Sequence, residues 1–121
     1  MLSFSVAAAL SGVWLFVHLL LGGREIAAPL RAAPDLAPLV RDTQYLCWHF
    51  TSVGIAAMAL FFAVAAWSGV TAFAMAGTML AAGFAVTGIG LVVGLGLSHA
   101  RLPQGWLFVP VALLGAGGIW L

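Results

Sequence analysis

Four long apolar runs divide the chain, and short polar connections separate them. The runs cover approximately residues 2–22, 45–67, 70–97 and 105–121. A helix needs about 20 consecutive apolar residues to cross a bilayer, and each run is close to that length, the last being the shortest. The pattern therefore predicts an all-α fold, a four-transmembrane-helix bundle, as a single membrane domain over residues 1–121.

The first connection, residues 24–43, is the longest and the most polar. It contains Pro29, Pro34 and Pro38, and three prolines argue against one continuous helix. We expect Gly22-Gly23 to end the first helix, because glycine commonly follows a helix C-terminus. The bundle thus has one longer polar connection, between helices one and two.

The second helix is expected to begin near Asp42 or Thr43, either of which is placed to cap it. It is followed by Ser68-Gly69, a connection so short that helices two and three must be antiparallel neighbours. At 1.5 Å per residue the third run predicts a helix of roughly 42 Å, which should tilt or protrude. A turn at residues 101–104 then leads into the fourth helix.

The composition supports a membrane location. Of the 121 residues, 64% are hydrophobic and 6% are charged, whereas soluble domains carry about 25% charged residues. A surface with so little charge must be solvated by lipid, so the bilayer is the first expected partner. A formal net charge of +1 without any lysine excludes the basic footprint of a nucleic-acid-binding protein. Cys47 is the only cysteine, so no intramolecular disulfide can form.

The charged side chains are confined to the first connection and to Arg101. In a topology of four spans, the first and third connections share one side of the membrane. The positive-inside rule places arginine-rich short loops in the cytoplasm, and all 4 arginines lie on that side. We therefore expect the charged loops to be cytoplasmic and both termini to lie outside the cytoplasm.

Three histidines provide the candidate site. His18, His49 and His99 all fall at the charged end of their helices, and His18 and His49 should lie at a similar shallow depth. Ionisable residues within a membrane are costly to bury and usually face the bundle interior or a cavity. Tyr45, His49 and Ser52 share one helical face. The candidate ligand-binding residues are therefore His18, His49, Tyr45 and Ser52.

The chemistry of these histidines is left open by their spacing. Two facing imidazoles could hold a haem b iron or form part of a metal site, and the possible metal or haem ligands are His18, His49 and His99. The competing interpretation is a neutral imidazole that hydrogen-bonds a carbonyl or a polar neighbour on the next helix. No His-x3-His spacing is present, so the hydrogen-bonding role is favoured and the cofactor stays unassigned.

Small residues form a row along the third run at spacings of three and four. Such rows let the backbones of lipid-embedded helices approach closely. We expect the row to mediate packing within the bundle; the alternative is an interface with a second copy or with a partner in a membrane complex. The row consists of Gly83, Thr87, Gly90, Gly94 and Ser98.

A resemblance rests on His18-Leu-Leu-Leu-Gly22-Gly23-Arg24, Pro29-Leu30 and Tyr45-x-x-Trp48-His49. With this arrangement, over most of its length, the chain resembles small bacterial four-helix integral membrane proteins, a group without an established activity. The resemblance implies a multi-pass protein of the bacterial cell inner membrane. Small multidrug transporters have a similar length, but the membrane-embedded Glu of their first span is missing here.

The expected function is that of a small accessory or binding protein with a His-lined polar site at the charged membrane face. The alternative is a redox protein in which His18 and His49 hold one b-type haem or a metal ion. A small transporter is the third interpretation, and the lack of charge within the runs argues against it. No Ser/His/Asp order, paired carboxylates or phosphate loop is present, so nothing in the sequence argues for an enzyme.

Overall fold

The computed structural model describes every residue from Met1 to Leu121, and its regular structure is entirely helical. The four helices are α1 over Leu2–Ala32, α2 over Pro38–Ser68, α3 over Thr71–Gly94 and α4 over Gln104–Trp120. The predicted all-α fold with four helices is confirmed. Helices α1, α2 and α3 are long and apolar enough to cross a membrane, while α4 is a shorter apolar helix.

The four helices form a closed ring in which each packs against two others. Helix α1 contacts α2, α2 contacts α3, α3 contacts α4, and α4 returns to α1. Phe62, Met58 and Val111 are completely buried at the centre of this ring. Large apolar side chains cover its outside, among them Leu2 and Leu20 at 79% and 70% exposure. An exposed apolar surface of this kind is typical of contact with a membrane or with a partner.

Helix α1 does not end at Gly22-Gly23, contrary to the expectation from the sequence. It is α-helical over Leu2–Phe16, π-helical over Val17–Ala27 and α-helical again over Ala28–Ala32. The two glycines lie inside the π-helical segment and lack the positive φ of a capping glycine. Their role is packing, since the nearest side chain across from them belongs to α2.

The break between α1 and α2 falls within the proline-containing connection, as predicted. Helix α1 stops at Ala32, shortly before Pro34, because the residue preceding a proline is disfavoured in the α conformation. Helix α2 begins at Pro38, whose fixed φ suits the first turn of a helix. Asp42 and Thr43 therefore lie one turn inside α2, and the prediction that one of them caps it is wrong.

Two glycines with positive φ mark the remaining helix ends. Gly69 (φ 71°) is the left-handed C-cap of α2, so the chain turns at once into the neighbouring α3. Helix α3 stops at Gly94, three residues short of the apolar run, and Gly96 (φ 64°) turns the chain. The connection to α4 is consequently longer than the sequence pattern predicts.

Glycines allow the closest approaches between helices. A Cβ atom on Gly88 of α3 would lie 2.7 Å from the Cα atom of Gly105 in α4. A Cβ on Gly77 or Gly115 would lie 2.9 Å or 2.8 Å from the ring of Phe62. Since real Cβ contacts are longer than this, any side chain at these positions would force the helices apart.

The predicted small-residue row does not pack within the bundle. A Cβ atom on Gly83, Gly90 or Gly94 would meet nothing within 4 Å. The buried face of α3 is instead the one that carries Ala81 and Ala85, and helical periodicity turns the row away from it. That the row forms an interface with another chain stays a prediction. The exposed residues are Gly83, Thr87, Gly90, Gly94 and Ser98.

Candidate functional site

His18 is held in one orientation by α2. Its imidazole stacks on the indole of Trp48, with ring centroids 4.3 Å apart and planes 19° from parallel. Its Nε2 lies 2.9 Å from Ser52 Oγ and 3.3 Å from the backbone carbonyl oxygen of Trp48. A carbonyl oxygen only accepts, so these partners assign the hydrogen to Nε2. Nδ1 therefore keeps a free lone pair.

Ser52 completes this arrangement. Its hydroxyl donates to the carbonyl oxygen of Trp48 at 3.2 Å, which leaves an oxygen lone pair for the N–H of His18. All three groups are thus satisfied by one another, and these hydrogen bonds link α1 to α2. His18 and Ser52, both among the candidates from the sequence, are in contact although they are 34 residues apart.

Gly22-Gly23 forms the surface on which Trp48 lies. A Cβ atom on Gly22 would be 3.9 Å from Cζ2 of Trp48, and one on Gly23 would be 3.8 Å from its Cη2. These are ordinary contact distances, so the indole already touches the glycine backbone of α1. The glycines sit in the π-helical part of α1, and π-helical turns are frequent at functional sites.

A cavity of about 560 Å³ opens beside His18. It lies between the second half of α1, the middle of α2, the connection between α3 and α4, and the first turns of α4. The apolar part of its wall includes Trp14, Leu107 and Phe108. The polar groups come from His18 and Gln104. Cavities that bind small molecules have this character, with predominantly apolar walls and a few polar groups that orient the ligand.

Two charged residues also line the cavity. Glu25 comes from α1, and Arg101 comes from the connection between α3 and α4. Neither takes part in an ion pair; the ion pairs of the chain join Asp42 to Arg31 at 2.8 Å and to Arg41 at 3.2 Å. The cavity is therefore bordered by one unpaired negative and one unpaired positive charge.

Trp14 contributes an unpartnered hydrogen-bond donor. Its indole Nε1 is buried and has no acceptor within the protein, and the residue lines the cavity. A buried N–H without a partner costs about 1–3 kcal/mol, so such groups are rare in folded proteins.

The other predicted candidates lie outside the cavity. Tyr45 meets His49 edge-on at 4.6 Å between ring centroids, and the guanidinium of Arg31 lies 4.9 Å from the centre of the Tyr45 ring. His49 is exposed on α2 and also meets the edge of Trp48 at 5.1 Å. Tyr45 and His49 therefore belong to an aromatic cluster next to the His18 site.

The three histidines do not converge on one point. His99 lies in the connection between α3 and α4, where its Nδ1 accepts from Nε1 of Trp106 at 3.1 Å. His18 and His49 both contact Trp48, and that indole links them rather than a common ligand. No three His, Cys, Asp or Glu side chains are grouped so that they could hold a metal ion.

Sequence reasoning missed three residues of the cavity. Trp14 precedes His18 by four residues and Glu25 follows it by seven, a spacing that would place all three close to one face of an uninterrupted α-helix. This spacing is the sequence pattern from which Trp14 and Glu25 could have been predicted as neighbours of His18. Arg101 carries no such signal, because it reaches the cavity only through the fold of the connection between α3 and α4.

Comparison with known protein families, with curated proteins and with solved structures finds no match. The resemblance to small bacterial four-helix membrane proteins therefore stays a prediction. The argument for a function rests on the cavity and on the side chains that surround it.

Proposed function

We propose that this chain is a small integral membrane protein that binds an amphipathic molecule in the cavity beside His18. The observation that carries the proposal is the cavity itself, which combines apolar walls with polar and charged groups at the charged end of the bundle. Its volume of about 560 Å³ lies within the range of roughly 300–1,000 Å³ that is usual for ligand sites.

One group on α1 is suited to orient a ligand. His18 lines the cavity, and its Nδ1 is free because Nε2 makes the hydrogen bonds to Ser52 and Trp48. A ligand hydroxyl or ammonium group can donate to this nitrogen, whereas an ester or amide carbonyl cannot.

The positions of the histidines support binding rather than haem ligation by a His18–His49 pair. The Nε2 hydrogen bonds to Ser52 and Trp48 fix the His18 ring against α2 and leave Nδ1 as its free nitrogen. A haem b redox role would need a second axial imidazole, and the nearest candidate, His49, lies on the exposed side of Trp48. We therefore favour an accessory or binding protein over the redox interpretation.

We also propose that the charged end faces the cytoplasm of a bacterial cell inner membrane and that both termini lie outside. The support is that Arg24, Arg31, Arg41 and Arg101 all belong to the end formed by the α1–α2 and α3–α4 connections. A reporter that is active only in the cytoplasm, fused to Leu121, should give no signal. A strong signal would reverse the orientation.

Blocking the cavity tests the binding proposal. Leu21 lines the cavity, while its neighbour Leu20 does not and is 70% exposed. We expect Leu21→Trp to reduce the phospholipid that stays bound to the purified protein during detergent washing, as measured by native mass spectrometry. Leu20→Trp is the matched control and should retain as much lipid as the unaltered protein.

Equal lipid retention by the two tryptophan variants and the unaltered protein would contradict the proposal. Circular dichroism and size-exclusion chromatography of each variant establish that the bundle has folded. Leu20 and Leu21 lie in the second half of α1, and both side chains are at least half exposed. Neither substitution is therefore expected to disturb the core.

A further inference from the structure

The charged residues of the cavity indicate which charges its ligand should carry. Glu25 and Arg101 are placed on different elements and border the same cavity. They do not form an ion pair with each other or with any other side chain, although the chain does form ion pairs elsewhere. Two opposite charges left separate at one cavity are suited to a ligand that itself carries both charges.

We propose that the cavity binds a zwitterionic phospholipid whose headgroup ends in a primary ammonium group. Its phosphate lies against the guanidinium of Arg101, and its ammonium lies against the carboxylate of Glu25. This inference rests on the proposed function and specifies the ligand for the same cavity.

The charges favour a zwitterion over an anionic lipid. A guanidinium binds phosphate oxygens through paired N–H donors, so Arg101 alone would accept either kind of lipid. The headgroup of phosphatidylglycerol, however, ends in an uncharged glycerol, which leaves the carboxylate of Glu25 without an opposite charge beside the phosphate. A primary ammonium has three N–H donors for that carboxylate, which a quaternary ammonium lacks.

The walls favour a lipid over a water-soluble zwitterion. Trp14, Leu107 and Phe108 line the cavity below its charged residues, and a headgroup without chains would leave this apolar surface uncovered. The same cavity is bordered by α1 and α4, whose outer surfaces carry exposed side chains such as Leu20 and Leu113. The start of an acyl chain can therefore occupy the cavity while the rest continues along the lipid-facing side of the bundle.

Competition between defined lipids tests the ligand class. The purified protein in a maltoside detergent is titrated with equal amounts of phosphatidylethanolamine and phosphatidylglycerol that have identical acyl chains, and native mass spectrometry counts the bound species. We expect a preference for phosphatidylethanolamine on the order of fivefold, the scale of one partly exposed ion pair. Phosphatidylcholine should bind less well than phosphatidylethanolamine.

Two neutralising variants assign the charges. Glu25→Gln should abolish the preference for phosphatidylethanolamine over phosphatidylglycerol, and Arg101→Gln should weaken the binding of both lipids. Arg24 and Asp35 are exposed, lie outside the cavity and form no ion pair. Arg24→Gln and Asp35→Asn are therefore matched controls, and neither should change the preference.

The outcomes separate this inference from the proposed function. The ligand class would be overturned, and the binding site left intact, by the following combination of results. The two lipids bind equally well, Glu25→Gln does not change their relative binding, and Leu21→Trp still displaces lipid. Failure of Leu21→Trp to displace any lipid would overturn both. Water-soluble glycerophosphoethanolamine carries the same headgroup without acyl chains. If it competes for the cavity as strongly as the lipid does, the protein recognises the headgroup alone, and the assignment to a phospholipid is overturned.

Discussion

The two ends of the bundle are built from similar apolar helices but are closed in different ways. At one end, which we call the packed end, Phe4 stacks with Phe62 at 6.5 Å between ring centroids, and Gly77, Gly115 and Gly118 adjoin these rings. At the other end, which we call the open end, a cavity of about 560 Å³ lies beside His18 and Trp48. The packed end has a filled core, and its own hollow of about 500 Å³ is a more open surface groove lined by Met1, Leu113 and Gly118. The cavity of the open end is more enclosed and is bordered by His18, Glu25 and Arg101.

The difference follows from where the small residues lie. At the packed end, glycines of α3 and α4 face a large ring and let both helices close around it. At the open end, Gly22 and Gly23 face Trp48, whose indole fills the space between α1 and α2 but not the space towards α4. The packed end therefore supplies the filled core, and the open end supplies the cavity in which we propose that a ligand binds.

Truncating an aromatic ring at each end should give the largest contrast. Phe62 is completely buried, and Phe62→Ala should lower the free energy of unfolding by about 3–5 kcal/mol, because it leaves a cavity in a filled core. Phe108 already lines a cavity, so Phe108→Ala should cost about half as much. Thermal unfolding in detergent measures both. Equal losses would mean that the two ends are packed equally well.

Adding a side chain to α3 should give a smaller but still clear contrast. Gly77→Leu would place a Cβ atom 2.9 Å from the ring of Phe62, and overpacking of this kind costs about 1–3 kcal/mol. Gly83→Leu is the matched control on the same helix, since nothing lies within 4 Å of its Cβ position. The midpoint of thermal unfolding should fall for the first variant only.

The second variant also tests the exposed row. Gly83→Leu leaves the monomer unstrained, so a loss of oligomers without a loss of monomer stability would show that the row is an interface with another copy. If instead Gly83→Leu destabilises the monomer as much as Gly77→Leu does, the assignment of the buried face of α3 is contradicted.

Removing one hydroxyl at the open end should have the smallest effect. Ser52→Ala deletes the oxygen that lies 2.9 Å from Nε2 of His18, but the carbonyl oxygen of Trp48 remains as an acceptor. Hydrogen bonds between membrane helices average about 0.6 kcal/mol, so the expected loss of stability is of that order. Ser5→Ala is the control, because it removes an exposed hydrogen bond to the carbonyl oxygen of Met1. It should leave the stability unchanged.

The fold was largely predictable because it depends on long apolar runs. Each run became one helix, and the prolines at positions 34 and 38 marked the break between α1 and α2. The end of α1 was not predictable from Gly22-Gly23, because a glycine next to a large side chain on another helix and a capping glycine look alike in the sequence. Only the three-dimensional position of Trp48 distinguishes these roles.

The site was predictable where one helix supplied the pattern and not where several helices meet. Ser52 was found through its spacing from His49, yet it contacts His18 instead. The exposed row on α3 and the buried face with Ala81 are both rows of small residues, and the positions of the neighbouring helices decide which one packs. Arg101 reaches the cavity through a connection whose course no periodicity describes.

The proposed binding of a lipid at the open end can be tested directly with the tryptophans. Labelling the 5 tryptophans with 5-fluorotryptophan gives a ¹⁹F signal for each, and single Trp→Phe variants assign Trp14 and Trp120. Trp14 lines the cavity of the open end, while Trp120 is 76% exposed at the other end of the bundle. On titration with phosphatidylethanolamine in detergent, we predict a saturable shift of the Trp14 signal and no saturable shift of the Trp120 signal. A Trp14 signal that stays in place, or that moves only in parallel with Trp120, would contradict a ligand site at the open end.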